Sequence, residues 1–443
     1  MSHTASDSTR LGPWTAAAMV VASMIGVGVF TTSGYTLGDL HQRFLVLWAW
    51  AVGGVVALCG TACYGSMARA MPGSGGEYHF LARLSGPFAG FLAGWISLLA
   101  GFTAPTAAAA LGLQAYLGPF LGLETELPWL ASAAIVLAGL QHGIGVRFGA
   151  RTQNLVVSIK LLGLISFLAY GFWRLTQGSA PTEVLPASTA PALAPSDTAF
   201  PFAAFAISLV WISFSYSGWN AAVYIGGELR DPERHLHRSL MGGCLLVTLL
   251  YLALNALFLY AAPAEALVGR ADIAAIAAEH SGGTAWRDFT SLLIGLALLT
   301  SISAMVQLGP RVYARMAEDG LFPQFFRPRD GQFRHAILLQ SCLALLAVWW
   351  SELQQLLGYI GFTLSLTAAT TVLLYCLRKL PGKFPIPGAV ITVPIFLGTT
   401  FASAGFLIHG NPTQALWGAL TVLSGVPIYA MMRRRLQTGT APS

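Results

Sequence analysis

Charged side chains are scarce in this chain of 443 residues. Asp, Glu, Lys and Arg make up 9% of it, whereas hydrophobic residues make up 55%. A soluble globular domain carries about 25% charged residues, so this composition cannot cover a surface that faces water. The chain must instead present apolar surface to lipid, which predicts an all-α integral membrane protein.

Acidic and imidazole side chains are also missing from the middle of the long apolar runs. The nine histidines lie in loops or near the predicted helix ends. Enzymes that work inside a membrane need a Ser/His pair, two aspartates or a zinc-binding motif within their spans. The sequence offers no such set, so we expect no enzymatic activity, no metal site and no cofactor.

Cysteine is infrequent, and the positive charge is dispersed. The five cysteines all fall within apolar runs, which predicts buried and unpaired side chains: Cys59, Cys63, Cys244, Cys342 and Cys376. The net charge of +6 does not indicate a nucleic-acid partner, because the basic residues lie in short loops and form no face with aromatic side chains.

Long apolar runs fill most of the sequence, and an apolar helix needs roughly 20 residues to cross a bilayer. The stretch 384–432 contains no Asp, Glu, Lys or Arg, and it divides at 409–412 into two runs. The twelve predicted spans cover residues 14–36, 44–68, 87–115, 128–145, 153–175, 199–225, 239–262, 288–309, 336–350, 354–377, 386–408 and 413–432.

The distribution of basic residues predicts the orientation of these spans. If both termini lie in the cytoplasm, 19 Lys and Arg residues face the cytoplasm and four face the opposite side. Such an excess is the positive-inside signature of membrane proteins. Splitting the charge-free stretch 84–123 into two spans would invert every later loop, so we predict one long span there.

The first and sixth predicted spans, which begin the two halves of the chain, each have a glycine-bearing interruption near the middle. The first contains Gly26 and Gly28, and the sixth contains SFSYSGWN at 213–220. Each glycine weakens a helix by about 1 kcal/mol relative to alanine, and lipid tolerates a break only beside a cavity or a ligand. Matching interruptions in the two halves of a chain indicate a transporter site. The alternative is that Gly26 and Gly28 only allow close helix packing.

An interrupted helix offers two kinds of binding group. The N-terminus of its second half presents unpaired N–H groups and the positive end of the helix dipole, which suit a carboxylate. Unwound carbonyl groups suit an ammonium group. An α-amino acid carries both charges a short distance apart, so a free amino acid fits such a site.

Five motifs carry a family resemblance that covers residues 12–435. They are IGVGVF at 25–30, PGSGGEY at 72–78, FSYSGWN at 214–220, GELRDPER at 227–234 and the segment 311–320 after the eighth predicted span. In this order and at this spacing they resemble the amino acid–polyamine–organocation superfamily. The similarity is nearest to its L-type amino acid transporter branch and the bacterial relatives of that branch.

The resemblance implies a LeuT-like fold with a five-plus-five inverted repeat, in which spans 1 and 6 are broken at a central site. It implies the following division: a cytoplasmic tail at 1–13, a first repeat at 14–176, an external loop at 177–198, a second repeat at 199–377, two further spans at 378–435 and a cytoplasmic tail at 436–443.

The resemblance also implies a substrate site at the two broken spans. Its expected members are Met24, Ile25, Gly26, Val27, Gly28, Val29, Phe214, Ser215, Ser217, Gly218 and Asn220. The amides of residues 27–29 would bind the carboxylate, and the carbonyls of Met24, Phe214 and Ser217 would receive the ammonium group. Phe214 would also close over the substrate as an aromatic lid.

Lys160 is the one charged side chain deep within a predicted span, about 12 Å along the helix from Thr152. A charge at this depth is a candidate functional group. The resemblance places it where sodium-coupled members of this fold bind a cation. Its ammonium group would either brace the unwound first span as a permanent cation or titrate and couple transport to protons.

Four charged residues at the predicted cytoplasmic ends are candidates for a gate. Glu228 is expected to gate the site together with Glu77, Asp231 and Arg311 through salt bridges. The alternative is that all four are solvated loop charges, since exposed ion pairs contribute little stability.

The resemblance implies a permease for amino acids in a bacterial inner membrane. A neutral substrate is favoured because no acidic group lies in mid-span, and Lys160 favours sodium independence. Residues 116–127 lack the cysteine that animal L-type transporters use to bridge to a heavy chain, so no such partner is expected. Exchange, uniport and proton symport stay open. The alternatives are an amine or organic-cation transporter and an amino-acid-sensing receptor on the same scaffold.

Overall fold

The structure, a computed structural model, describes residues 13–72, 75–123, 127–144, 150–177, 200–220, 223, 232–329, 332–378 and 384–437. These residues form helices and turns and contain no β-strand. The helices are α1 (Pro13–Met24), α2 (Val27–Leu40), α3 (Arg43–Ala70), α4 (Gly76–Ser85), α5 (Pro87–Ile96), α6 (Ala104–Phe120), α7 (Trp129–Gly143), α8 (Ala150–Thr176), α9 (Phe202–Tyr216), α10 (Pro232–Tyr260), α11 (Ala264–Leu267), α12 (Ile273–Gly282), α13 (Thr284–Glu318), α14 (Arg334–Trp350), α15 (Leu353–Leu377), α16 (Ala389–Gly410) and α17 (Pro412–Gln437). A π-helical segment, Ser97–Thr103, joins α5 to α6, and a 3-10 turn covers Gln324–Phe326.

Eight helical segments of the described residues are long and apolar enough to cross a membrane. Helices α1 and α2 together form a ninth span, which bends by 42° at its break. Helices α7, α9 and α14 are shorter apolar helices. These findings confirm an all-helical membrane protein with a broken first span. The total of twelve spans and the division into repeats stay predictions.

The third span is continuous from Pro87 to Phe120, which confirms the prediction of one long span there. Its middle is π-helical, because the N–H of Ala104 donates to the carbonyl of Leu99, five residues earlier. Pro105 follows directly and has no N–H, so the segment has fewer backbone donors than carbonyl acceptors. Segments of this kind occur frequently at functional sites, and this one lines the cavity described below.

A cluster of buried aromatic side chains joins four helices near the centre of the bundle. The ring of Tyr251 lies 5.4 Å from that of Trp50 and 5.2 Å from that of Tyr216. Trp50 Nε1 donates to Ser33 Oγ at 2.7 Å, and the Tyr216 hydroxyl donates to the Trp50 carbonyl at 3.0 Å. These contacts hold α2, α3, α9 and α10 against one another around the two breaks.

Large apolar side chains cover the outside of the bundle. Leu162 is 64% exposed, Ile165 58% and Val390 90%. Soluble proteins rarely present such continuous apolar surface, so these faces contact lipid. Cys342 lies on this outer surface, and its predicted burial is wrong because an apolar run faces lipid as readily as core. The other cysteines are buried or half-buried: Cys59, Cys63, Cys244 and Cys376.

The segment that carries α11 and α12 closes one end of the bundle against α2. The N–H of Gly269 donates to the Gly34 carbonyl at 2.8 Å. The N–H of Ala274 in α12 donates at 3.2 Å to the Tyr116 hydroxyl, which in turn donates to the Phe30 carbonyl of α2 at 2.6 Å. Gly34 has no space for a side chain, because a Cβ atom there would overlap the Arg270 carbonyl oxygen and lie 2.9 Å from its carbon. At this end, backbone packs directly on backbone.

Replacing Gly34 by alanine is expected to lower the melting temperature of the detergent-solubilised protein. The added methyl group would push α2 away from the Arg270 backbone, and such overpacking costs about 1–3 kcal/mol. Gly38→Ala is the matched control, because a Cβ at Gly38 would have ordinary contacts of 3.7 Å to Val268 and 3.8 Å to Gly269. Equal melting temperatures for the two variants would contradict the tight closure at Gly34.

Candidate functional site

The two broken segments face one cavity with a volume of about 1370 Å³. Among the described residues, the cavity lining on α2 ends at Gly28, whereas along α13 it extends from Leu296 to Arg315 and continues to Asp319, which directly follows the helix. The side chain of Arg315, at that far end, is 66% exposed. The cavity therefore opens at the end of the bundle that carries Arg315 and Asp319, and it is closed where α11 and α12 pack on α2.

The first break lies between Met24, the last residue of α1, and Val27, the first residue of α2. Gly26 has an extended backbone, with φ −130° and ψ −161°, and no side chain caps α2. The first N–H groups of a helix have no partner within that helix. Those of Val27 and Gly28 are therefore available to a ligand, at the positive end of the α2 dipole.

The second break follows Tyr216, the last residue of α9. Ser217 leaves the helix with ψ 148°, and its N–H donates to the Phe214 carbonyl at 2.9 Å. Gly218 has φ +98°, and a Cβ there would lie 2.8 Å from the Ser23 carbonyl oxygen. This position therefore requires glycine both for its backbone conformation and for its close approach to the end of α1.

Gly26 and Gly28 serve different purposes. A Cβ at Gly28 would overlap Ser215 Oγ and lie 2.7 Å from Ser215 Cα, so this glycine lets α2 pack on α9. A Cβ at Gly26 would have only the Met24 carbonyl oxygen near it, at 4.0 Å. Close helix packing, the alternative raised for both glycines, therefore applies to Gly28, whereas Gly26 borders open space in the cavity.

Two buried side chains donate hydrogen bonds to the carbonyl groups at the breaks. Lys160, which is 5% exposed, donates from Nζ to the Ile25 carbonyl. The Tyr251 hydroxyl contacts the Met24 carbonyl and, at 3.0 Å, the Ser215 carbonyl. Its single proton serves one of these acceptors at a time. Tyr251 thus connects the end of α1 to the end of α9.

Glu77 is buried, and hydrogen bonds link it to the second broken segment. Asn220 Nδ2 donates to Glu77 Oε1 at 2.6 Å, and the Tyr64 hydroxyl donates to the same oxygen at 3.0 Å. The Glu77 residue is 9% exposed, so the alternative of a solvated loop charge is wrong for it. The broken segment positions Asn220, which directs its amide toward this carboxylate and also lines the cavity.

A group of polar side chains forms the mouth of the cavity. The Tyr78 hydroxyl donates to Asp319 Oδ2 at 2.9 Å, which joins α4 to the end of α13. Burial and this bond raise the pKa of Tyr78, so its hydroxyl remains a donor at neutral pH. Arg315 lies 3.3 Å from Asp319 and 3.5 Å from Glu318. Burial and the neighbouring Arg83 lower the pKa of His79, which also lines the mouth.

Most residues of the predicted site meet in this cavity. Those that line it are Met24, Ile25, Gly26, Val27, Gly28, Lys160, Phe214, Ser215, Ser217, Gly218 and Asn220. Val29 is fully buried and does not line the cavity. Glu228 and Asp231 lie outside the described residues.

Several residues of the site carry no signal in the sequence. Tyr251 lies in an apolar run, where a tyrosine is typical of packing. His142 Nε2 and Ser303 Oγ share a hydrogen bond of 2.8 Å, and both residues line the cavity. The sequence assigns neither residue a role. The sequence signals the π-helical segment only through Pro105. Because proline has no N–H, it removes one backbone hydrogen bond from an otherwise regular apolar helix.

Comparison with known proteins agrees with this geometry. The family described as "Amino acid permease" matches residues 11–432. The chain is 26% identical over 436 residues to the large neutral amino acids transporter small subunit 2 of Mus musculus, covering 95% of this chain and 80% of that protein. It is 26% identical to the serine/threonine exchanger SteT of Bacillus subtilis (strain 168), covering 98% of this chain and 99% of SteT. It is also 26% identical to the Asc-type amino acid transporter 1 of Mus musculus, covering 95% and 80%. Because the family match spans nearly the whole chain and the two broken helices meet at one cavity, the chain belongs to the amino acid permease family.

Proposed function

We propose that the protein is a secondary transporter that moves neutral amino acids across a bacterial inner membrane by alternating access, with both termini in the cytoplasm. One observation carries the proposal: the uncapped start of α2 and the unwound residues after α9 line the same cavity. The N–H groups of Val27 and Gly28 are the proposed ligands of the substrate carboxylate.

Carbonyl groups beside the breaks are the proposed ligands of the substrate ammonium group. They belong to Met24, Phe214 and Ser217. The first contacts the Tyr251 hydroxyl and the second accepts the Ser217 N–H, but each carbonyl oxygen has a second lone pair. Phe214 lines the cavity next to these groups and is the proposed aromatic lid.

The charges of the cavity lining favour a neutral substrate side chain. The described Asp, Glu, Lys and Arg residues of the lining are Glu77, Lys160, Arg311, Arg315 and Asp319. Glu77 belongs to α4, Arg311 and Arg315 belong to the last third of α13, and Asp319 directly follows α13 at the mouth. Among these charges, the one at the first break is Lys160, and it repels a second ammonium or guanidinium group. Glu77, at the second broken segment, already accepts hydrogen bonds from Asn220 and Tyr64.

Sodium-independent exchange is the proposed mode of transport. The Lys160 ammonium donates to the Ile25 carbonyl at the first break, where it can replace a bound cation. One relative of nearly equal length is named an exchanger of serine and threonine. Proton-coupled symport is the second candidate, because Lys160 is the one Asp, Glu, His, Lys or Arg side chain deep within a predicted span. We expect no disulfide-linked heavy chain, since residues 116–127 contain no cysteine.

Uptake by purified protein in proteoliposomes tests the proposal directly. We expect uptake of a radiolabelled neutral amino acid from a panel of all common amino acids, at a rate that sodium does not change. Stimulation by unlabelled amino acid inside would establish exchange, whereas stimulation by external acid without internal substrate would establish proton symport.

Protein-free liposomes and excess unlabelled substrate are the controls for this assay. Absence of uptake for every amino acid by monodisperse, folded protein would contradict the proposal. The same panel run as a thermal-shift binding assay would then separate the two alternatives. A stabilising amino acid without transport indicates a sensor, and a stabilising amine or organic cation indicates a different substrate class.

Gly26→Leu is expected to abolish substrate binding without unfolding the protein. The leucine side chain would enter the open space beside the α2 N-terminus, where a Cβ has no neighbour closer than 4.0 Å. Gly28→Ala is the contrasting variant, because its Cβ would collide with Ser215 and lower the melting temperature instead. Substrate-induced thermal stabilisation and KM are the measurements. A wild-type KM for Gly26→Leu would remove the α2 N-terminus from the site.

Lys160→Ala is expected to lower uptake about 5- to 150-fold, because it leaves the Ile25 carbonyl buried without its donor, at a cost of about 1–3 kcal/mol. If the ammonium group replaces a cation, sodium would restore part of the uptake of Lys160→Ala and leave the wild type unchanged. The comparison is initial uptake rate in sodium against choline at equal ionic strength. Full activity of Lys160→Ala in choline would exclude this role.

A further inference from the structure

We propose that Arg311 forms a second, peripheral binding position for the substrate carboxylate, on the route between the central site and the mouth of the cavity. The inference rests on the proposed function, since it concerns the same amino acid. It adds a position that neither break provides, and it predicts kinetics that differ between the two sides of the membrane.

The polar side chains of α13 form a continuous line along the cavity. Thr300, Ser303, Gln307 and Arg311 are spaced by three or four residues and all line the cavity. Residues at this spacing lie on one face of a helix. We call this set the inner stripe. It extends from the level of the two breaks toward the mouth, so a polar solute leaving the central site follows it.

Arg311 is too far from the central site to contact a molecule bound there. A Cβ at Gly112 would contact both Val27 and Leu298, the latter at 3.4 Å, so Leu298 lies level with the start of α2. Arg311 follows Leu298 by 13 residues, which is about 20 Å along an α-helix. A cavity of about 1370 Å³ has room for a second amino acid at that distance.

The charge of Arg311 is not neutralised within the part of the chain that the structure describes. Its neighbour Arg315, one turn further along α13, has ion pairs with Glu318 and Asp319, and Tyr78 also donates to Asp319. No described residue forms an ion pair or a hydrogen bond with Arg311. The inner stripe thus ends in a guanidinium group that faces the cavity and is paired with none of the described residues.

A guanidinium group is well suited to hold a carboxylate for a short time. Its planar fork binds both carboxylate oxygens through parallel N–H donors. The neighbouring members of the inner stripe offer hydroxyl and amide groups but no competing acid. Because an amino acid is a zwitterion, its ammonium group would remain solvated in the open cavity, and binding at Arg311 would be weak and reversible.

The expected effect is on capture from one side only. Clefts with one sign of charge raise the capture rate of oppositely charged groups. The basic loops assign the mouth to the cytoplasm, so Arg311 would assist capture of internal substrate. When the cavity is open to the opposite side, the tightly packed end at α11 and α12 must have moved, and substrate reaches the central site without passing the inner stripe.

The rival role for Arg311 is that of a gate, in which it pairs with an acidic residue when the inner end closes. The two roles predict different kinetics. Loss of a gate alters the equilibrium between the open states and therefore changes transport from both sides. Loss of a capture site changes the KM for internal substrate and leaves the KM for external substrate as it was.

The test is an exchange assay in proteoliposomes whose protein is oriented in one direction. Internal KM is obtained by varying unlabelled substrate inside, and external KM by varying labelled substrate outside. We expect Arg311→Gln to raise the internal KM about tenfold, the low end for electrostatic capture, with external KM unchanged. Arg311→Lys, which keeps the charge without the fork, should give an intermediate internal KM.

Arg315→Gln is the matched control, because its charge is already paired, and its internal KM should stay near the wild-type value.

Raising the ionic strength should increase the internal KM of the wild type but not that of Arg311→Gln, since salt screens charges beyond about 8 Å at physiological ionic strength. Equal changes in both KM values would overturn the proposal in favour of a gate, and unchanged values would overturn it outright. External uptake by the wild type tests the proposed function separately.

Discussion

Backbone hydrogen bonding in lipid is the constraint on which the rest of this structure depends. A span that breaks within the bilayer leaves N–H and carbonyl groups without water to pair with. Here the protein supplies donors for the carbonyl groups before the break, through Lys160 and Tyr251. It supplies no side-chain cap for the N–H groups after the break, because the residue at the cap position is Gly26. The carbonyl groups before the break therefore have donors, whereas the N–H groups after it have no side-chain acceptor. This arrangement favours an anionic ligand group.

The two breaks act as one unit because they are packed against each other. Gly218 approaches the Ser23 carbonyl, and Gly28 approaches Ser215, so neither broken segment can move without displacing the other. Tyr251 adds a hydroxyl that contacts a carbonyl on each side. Since interiors of this density respond to movement in discrete steps rather than gradually, a ligand that orders the start of α2 also biases the end of α9.

The sequence predicts the features that depend on local composition. Scarce charge predicts a membrane protein, the glycine at Gly26 predicts the break, and the depth of Lys160 in an apolar run marks it as a candidate functional group. The features that depend on distant partners could not be predicted. Gly28 packs against Ser215, which is distant from it in the sequence. The apolar run around Tyr251 does not distinguish this tyrosine from a packing residue. Glu77 lies in a loop motif that is typical of solvated charge, and only the fold brings Asn220 to it.

The two ends of the cavity close by different chemistry, and this difference constrains the transport cycle. At the closed end the backbone of Gly34 packs directly on the backbone of Gly269 and Arg270, with no side chain between them that could change its partner. The open end carries side chains such as Tyr78 and Asp319, which can exchange partners as the helices approach. Arg311 lies between these side chains and the central site. Burying its charge without a counterion would cost several kcal/mol. In the proposed capture role Arg311 keeps contact with water as this end closes, so this cost does not arise and closure depends on the exchangeable contacts of Tyr78 and Asp319.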